Sequence, residues 1–311
     1  MISFRQHAIS LASVFLALAL GLLLGSHLLD GGAPSAPWSK SGDRQRADTL
    51  TAQNGRLTDE LNAANGFIAR SSAKILGGTL NGRSVLLFTT PDADNGDVDA
   101  VGKTLSTAGA TVTGRIALTD AFVDSGQGDR LRTAATNMIP AGAQLQTGAV
   151  DQGSLVGDLL GLAFLVDPGN GQPRATPQER TLILDTLRGG GFLTYGDVQP
   201  AQLAVVVTGN GAKADLNNRG SIIGRFAGGL RGRGAGVVLA GRAGAADGAG
   251  PIAVVRADGQ LANAVTTVDN IDREIGRITT ALGLAEQLGG GAGRYGTGPK
   301  ANSLTVVALP R

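Results

Sequence analysis

The chain has 311 residues, a net charge of +2, 49 glycines, no cysteine and only 4% aromatic residues. Its length allows one large domain or two small ones, with a core built from Val, Leu, Ile and Ala. Lysines and arginines are scattered, with no basic stripe and no aromatic platform, which argues against a nucleic-acid partner.

The opening stretch, MISFRQHAISLASVFLALALGLLLGSHLL, is apolar from Ala8 to Leu29, with His27 as its one ionisable residue. As a helix this run measures roughly 33 Å, enough for a hydrocarbon core of about 30 Å. It is too long for a secretory apolar region and continues almost to Asp30. Residues 1–29 are therefore read as a retained transmembrane anchor in the lipid bilayer, not a cleaved signal. Arg5 ahead of the span favours a cytoplasmic N-terminus, although Lys40, Arg44 and Arg46 behind it weaken the bias. Residues 30–311 then lie outside the cytoplasm, and the lack of cysteine is compatible with that compartment. Ser13, Ala17, Gly21 and Gly25 recur four apart on one face. They form either a packing surface for a second membrane helix or the ordinary small-residue content of such helices.

Residues 30–42, DGGAPSAPWSKSG, read as a flexible linker. Residues 43–76 read as a coiled-coil or stalk helix. Leu50, Leu57, Ala64 and Ser71 alternate at 3-4 spacing with Ala47, Asn54, Leu61, Ile68 and Ile75. Leu50, Leu57, Leu61, Ile68 and Ile75 are its apolar seam. Asn54 and Ser71 interrupt it, and Gly55 and Gly66 each cost about 1 kcal/mol relative to alanine. The seam implies pairing with a second helix, with folding back onto its own domain as the alternative.

From Asn81 strands and helices alternate. Ser84–Phe88, Thr111–Leu118, Phe192–Tyr195, Leu203–Thr208, Gly236–Ala240 and Ile252–Arg256 read as strands. Helices are expected after Gly96, over 129–138 and 154–165, near 215–230 and from Ile271 to Leu288. Thr176-Pro177-Gln178-Glu179 has the signature of a helix start, with a capping box and proline at the first helical position. The alternation predicts an α/β layered domain over 77–288 with a largely parallel sheet. Residues 289–311 read as a glycine-rich tail, with Leu304–Leu309 as an edge strand.

Three stretches together resemble one family. These are the opening MISFRQHAISLASVFLALALGLLLGS, the run Leu105-Ser106-Thr107-Ala108-Gly109-Ala110 followed by Val112 and Gly114, and the closing TTVDNIDREIGRITTALGLAEQLGGGAGRYGTG. They are similar to the actinobacterial copper transport protein family of the MctB type, over nearly the whole chain. The resemblance implies a membrane-anchored envelope protein with a periplasmic α/β domain, linked in mycobacteria to copper removal and channel formation at the outer membrane. Some corynebacterial relatives are instead linked to cell separation, with a membrane partner engaged through the coiled coil.

The residues themselves offer copper little. Cu(I) favours thiolate and thioether ligands and Cu(II) favours imidazole. The chain has no cysteine, methionine only at Met1 and Met138, and histidine only at His7 and His27. These histidines flank opposite ends of the span, so His27 is an interfacial residue or, in an oligomer, a lone ligand. Asp92, Asp94, Asp97 and Asp99 form a carboxylate cluster that fails the calcium-loop spacing, because Pro91 falls at the first ligand position. A turn and an acidic helix start explain it more simply. Gly209-Asn210-Gly211 lacks the third glycine of a dinucleotide turn and the later acidic residue, so it reads as a loop. Residues 30–311 contain no Cys and no His, which removes the usual nucleophile–histidine sets. A carboxylate-pair hydrolase using Asp269 and Asp272, or the Asp92 cluster, stays formally open, but a helix-start role explains Asp269 and Asp272 more simply. The chain is therefore expected to be a non-enzyme without a cofactor, with copper entering only as a transported ion through the resemblance. Two functions follow: copper transport or homeostasis as an oligomer or with partners, or an adaptor that engages an envelope or cell-separation partner through the 43–76 helix.

Overall fold

The structure, a computed structural model, describes residues 37–306, with side chains from residue 44 onward. The proposed anchor, with Ser13, Ala17, Gly21, Gly25 and His27, lies outside the described residues, as do residues 307–311. Among the described residues no helix is long and apolar enough to cross a membrane. The chain divides into two units, Met1–Ala64 and Asn65–Arg311.

Helix α1 (Pro37–Leu76) runs through that division and starts inside the stretch read as linker. Proline suits the first turn of a helix, where its missing N–H is an orphan in any case. In the first unit α1 is exposed and held by local bonds. Thr51 and Thr58 donate their hydroxyls to the carbonyls of Ala47 and Asn54, and Arg56 pairs with Glu60 at 3.2 Å.

The second unit is a doubly wound α/β domain. Its elements are β1 (Ser84–Thr89), α2 (Asn95–Thr107), β2 (Thr111–Leu118), α3 (Gly128–Thr136), α4 (Gln152–Phe164), α5 (Pro177–Gly189) and β3 (Leu193–Tyr195). There follow β4 (Leu203–Val207), α6 (Arg219–Arg231), β5 (Gly236–Ala240), α7 (Pro251–Ala257), α8 (Gly259–Ala264), β6 (Thr266–Val268), α9 (Glu274–Leu288) and β7 (Arg294–Tyr295). The sheet order is β3-β2-β1-β4-β5-β6-β7, parallel except where β3 runs against β2. Strands β4 and β5 are buried along their whole length, as continuous apolar runs in a sheet covered on both faces must be. Leu86, Phe88, Ala204, Val206, Val237 and Leu239 point into one core, covered by α3–α7. Val85, Leu87, Val205, Val207, Val238 and Ala240 point into the other, covered by α2, α9 and the end of α1.

Glycine sets the closest contacts. On α4, Gly153 and Gly157 lie against α6, where an added Cβ would stand 2.2 and 2.3 Å from the carbonyl oxygens of Ile222 and Phe226. Two helix backbones therefore touch with no side chain between them. The residue after Gly157, buried Asp158, takes a bidentate bond from Arg233. Phe226 fills the space below with edge-to-face contacts to Phe88 and Phe122, both at 5.3 Å. Gly114, at φ 143°, accompanies a slip in the β1–β2 register and lets Asp197 cross over it.

The capping box at Thr176 and Glu179 is present, and Glu179 also accepts the amide of Ala141. Three expectations need correction. Ile252–Arg256 is not a strand but most of α7. A short apolar run does not distinguish a strand from a buried helix, and Pro251 at the helix start decides it. The next strand is instead β6, three residues too short to show a period. The sheet edge is β7 inside the glycine-rich tail, whereas Leu304–Val306 is not a strand.

Gly157→Ala should lower stability by about 1–3 kcal/mol, because the clash with Phe226 outweighs the gain in helix propensity. Gly102→Ala in α2, whose Cβ would have its nearest neighbour at 3.9 Å, should raise it by up to about 1 kcal/mol. Denaturant midpoints of the two variants check both signs.

Candidate functional site

The sheet order reverses direction between β1 and β4, and ligands of open α/β sheets bind outside the strand ends at such a point. Here that crevice is closed. Asp92 Oδ1 accepts the hydroxyls of Thr90 at 2.5 Å and Thr208 at 3.3 Å. A Cβ on Gly209 would stand 2.0 Å from the Asp92 carbonyl oxygen, and one on Gly211 would stand 2.7 Å from that of Gly244. The loops after β1, β4 and β5 therefore seal one another backbone to backbone. The remaining cavity, lined by Asp92, Thr208 and Arg219 among others, measures about 20 Å³, room for one water. A nucleotide needs a cleft of some hundreds of Å³. Gly209-Asn210-Gly211 is a packing loop, and α6 does not open directly from it but begins at Arg219.

The carboxylate cluster holds elements together. Asp94 caps α2 by accepting the amide of Asp97 at 3.2 Å. Asp97, 6% exposed, takes the Nε–H of Arg242 at 2.6 Å, and Asp94 lies 3.4 Å from the same guanidinium. The hydrogen bond to Asp97 raises the pKa of Arg242, and the charges of Asp94 and Asp272 add to the effect. Among the described residues no group of three His, Cys, Asp or Glu side chains is placed to hold a metal. Met138, the one described thioether, accepts the hydroxyl of Thr186 at 3.4 Å.

The largest departure from the sequence reading is at Asp269. It does not start a helix but follows directly on β6, fully buried, in a 2.7 Å ion pair with Arg256, also fully buried. Arg256 further donates to Thr267 Oγ1 and to the carbonyls of Tyr295 and Pro299, at 3.0, 2.8 and 3.0 Å. Asp269 accepts the amides of Thr297 and Gly298 at 2.8 and 3.1 Å. Gly296, at φ 125°, passes so close to Asp269 that no side chain fits there. Tyr295 anchors the same segment through its hydroxyl to Glu286 at 2.7 Å; burial and that carboxylate raise its pKa. The closing RYGTG sequence is thus a strap laced around a buried ion pair. Sequence reasoning missed Arg256, which stands among apolar residues with no motif around it. Asp272, at the other end of the turn, is 42% exposed and 3.9 Å from Arg273.

The remaining candidate is α1. Leu50, Leu57 and Leu61 are 59, 56 and 48% exposed, and Ile75 is 46% exposed. Ile68 differs: it is half-buried against the core that holds Leu76 and Val85. The helix therefore leaves apolar side chains uncovered at seam positions.

Arg256→Met leaves Asp269 buried without its partner and should cost about 3–5 kcal/mol. Arg256→Met combined with Asp269→Leu should cost less than the single change, since no uncompensated charge remains. Equilibrium unfolding of the two variants tests this.

The family model described as "Copper transport outer membrane protein, MctB" matches residues 1–306. The copper transporter MctB of Mycobacterium tuberculosis is 43% identical over 312 residues, covering 98% of this chain and 99% of that protein. The copper transporter MctB of Mycobacterium leprae is 43% identical over 315 residues, with the same coverage. The chain belongs to the MctB copper transport outer membrane protein family.

Proposed function

We propose that the protein serves copper transport and homeostasis at the cell envelope, and that it does so through contacts with other protein chains and not by holding the ion itself. Full-length membership of a family whose mycobacterial members are named copper transporters carries the first half. The ligand inventory supports the second. The chain has no thiol, one described thioether already engaged by a hydroxyl, and histidine only at His7 and His27. Copper sites are built from those groups. Residues 1–29 then act as a single-pass anchor with the N-terminus in the cytoplasm, followed by a stalk and an extracytoplasmic α/β domain. In this reading the domain is a non-catalytic platform without a cofactor. The sealed crevice at the β1–β4 reversal supports that part.

The exposed leucines of α1 favour a second reading, compatible with the first, in which this helix engages another helix in the membrane or envelope. The partner surface is then the seam and the α/β domain is carried to its place of action.

Deleting the gene should raise cellular copper and copper sensitivity, measured by metal content and growth in graded copper. Unchanged tolerance would remove the copper reading. Replacing Leu57 and Leu61 with Asp should abolish partner capture in crosslinked cells while circular dichroism stays that of the folded domain. Recovery of the same partners from that variant would remove the contact surface.

A further inference from the structure

We propose that the uncovered stripe of α1 is occupied by the same stripe of a second copy of this chain, parallel and in register, as a two-stranded coiled coil over Ala47–Ala64. The inference rests on the reading of α1 as a contact surface and adds the occupant, its direction and its number. Heptad lettering of this segment puts Ala47, Asn54 and Leu61 at the a positions and Leu50, Leu57 and Ala64 at d. All the large apolar side chains here thus lie on one narrow seam, the width that another single helix covers.

Three observations select a second copy. First, Asn54 sits in the middle of the seam. Its amide finds a matching donor and acceptor when the facing residue at the same level is also asparagine, as in an in-register parallel pair. Facing an apolar residue, it is left unpaired. A lone asparagine at an a position is a device that fixes strand number and register. Second, the flanks carry no like charges against themselves. In a parallel pair Arg46 meets Thr51, Gln53 meets Thr58 and Glu60 meets Asn65 across the seam. Charged flanks are what usually direct a coiled coil to a different partner, and these encode no such preference. Third, Thr51 and Thr58 spend their hydroxyls on their own helix, at 2.8 and 2.7 Å, so these flanking positions offer no hydroxyl to a polar partner side chain. Gly55, a weak point for the helix, lies off the seam, with nothing within 4 Å of its would-be Cβ.

The chain has no cysteine, so single cysteines report on pairing without background. The full-length protein in its native membrane would carry Leu50→Cys, Leu57→Cys or, on the opposite face, Asp59→Cys, and be oxidised. Disulfide-linked homodimers at both 50 and 57 and none at 59 are expected. An antiparallel pair that joined one of the two positions would hold the other about 21 Å from its counterpart. Crosslinking at only one position therefore overturns the parallel register. Mixed disulfides with a different protein overturn self-pairing while leaving α1 as a contact surface, and no crosslink at either position overturns both.

Discussion

The constraint on which the domain depends is a shortage of large side chains. With few aromatics and glycine at 49 positions, native packing density has to come from backbone approaching backbone. That approach recurs at Gly153 and Gly157 of α4 on the carbonyls of α6 and at Gly209 and Gly211 between strand-end loops, while Gly296 gives the same close room to the Asp269 carboxylate. Three of the eight phenylalanines, Phe88, Phe122 and Phe226, then meet under the closest helix pair.

The same constraint shapes what the domain can do. A doubly wound sheet places its loops where many proteins bind a nucleotide, but these loops are glycine-lined on their inner sides and close on each other. What would elsewhere be a cleft is here a seal with room for one water. Charged groups follow suit. Asp94, Asp97 and Arg242 tie the α2 start to the β5 loop, Asp158 and Arg233 tie α4 to the end of α6, and Arg256 and Asp269 tie the terminal strap to β6. Each pair is committed to architecture. The Asp158–Arg233 and Arg256–Asp269 pairs are buried and therefore costly to break from one side, because the remaining charge has no partner.

A family name that speaks of copper and a chain with no thiol, two methionines and two histidines are reconciled if the ion is handled by an assembly. Apolar surface left uncovered along one element is where such an assembly would be built, and among the described residues α1 leaves Leu50, Leu57, Leu61, Phe67 and Ile75 exposed.

Much of this was legible in the sequence by itself. The short apolar runs at β1, β4 and β5, the capping box at Thr176 and the 3-4 spacing of α1 are local patterns, and local physics is enough to read them. The tertiary structure alone decided the rest. Ile252–Arg256 became a helix because Pro251 starts one there and because its apolar side is buried, which no short run reveals. Arg256 and Asp269, thirteen positions apart and without a motif, became partners because β6 and α7 bring them together in a space that excludes water. The two glycines after β4 have the look of a ligand turn in one dimension. In three they are the places where neighbouring backbones need a missing side chain. Sequence spacing records what a residue is able to do, and whether a cleft stands beside it depends on how closely distant segments pack.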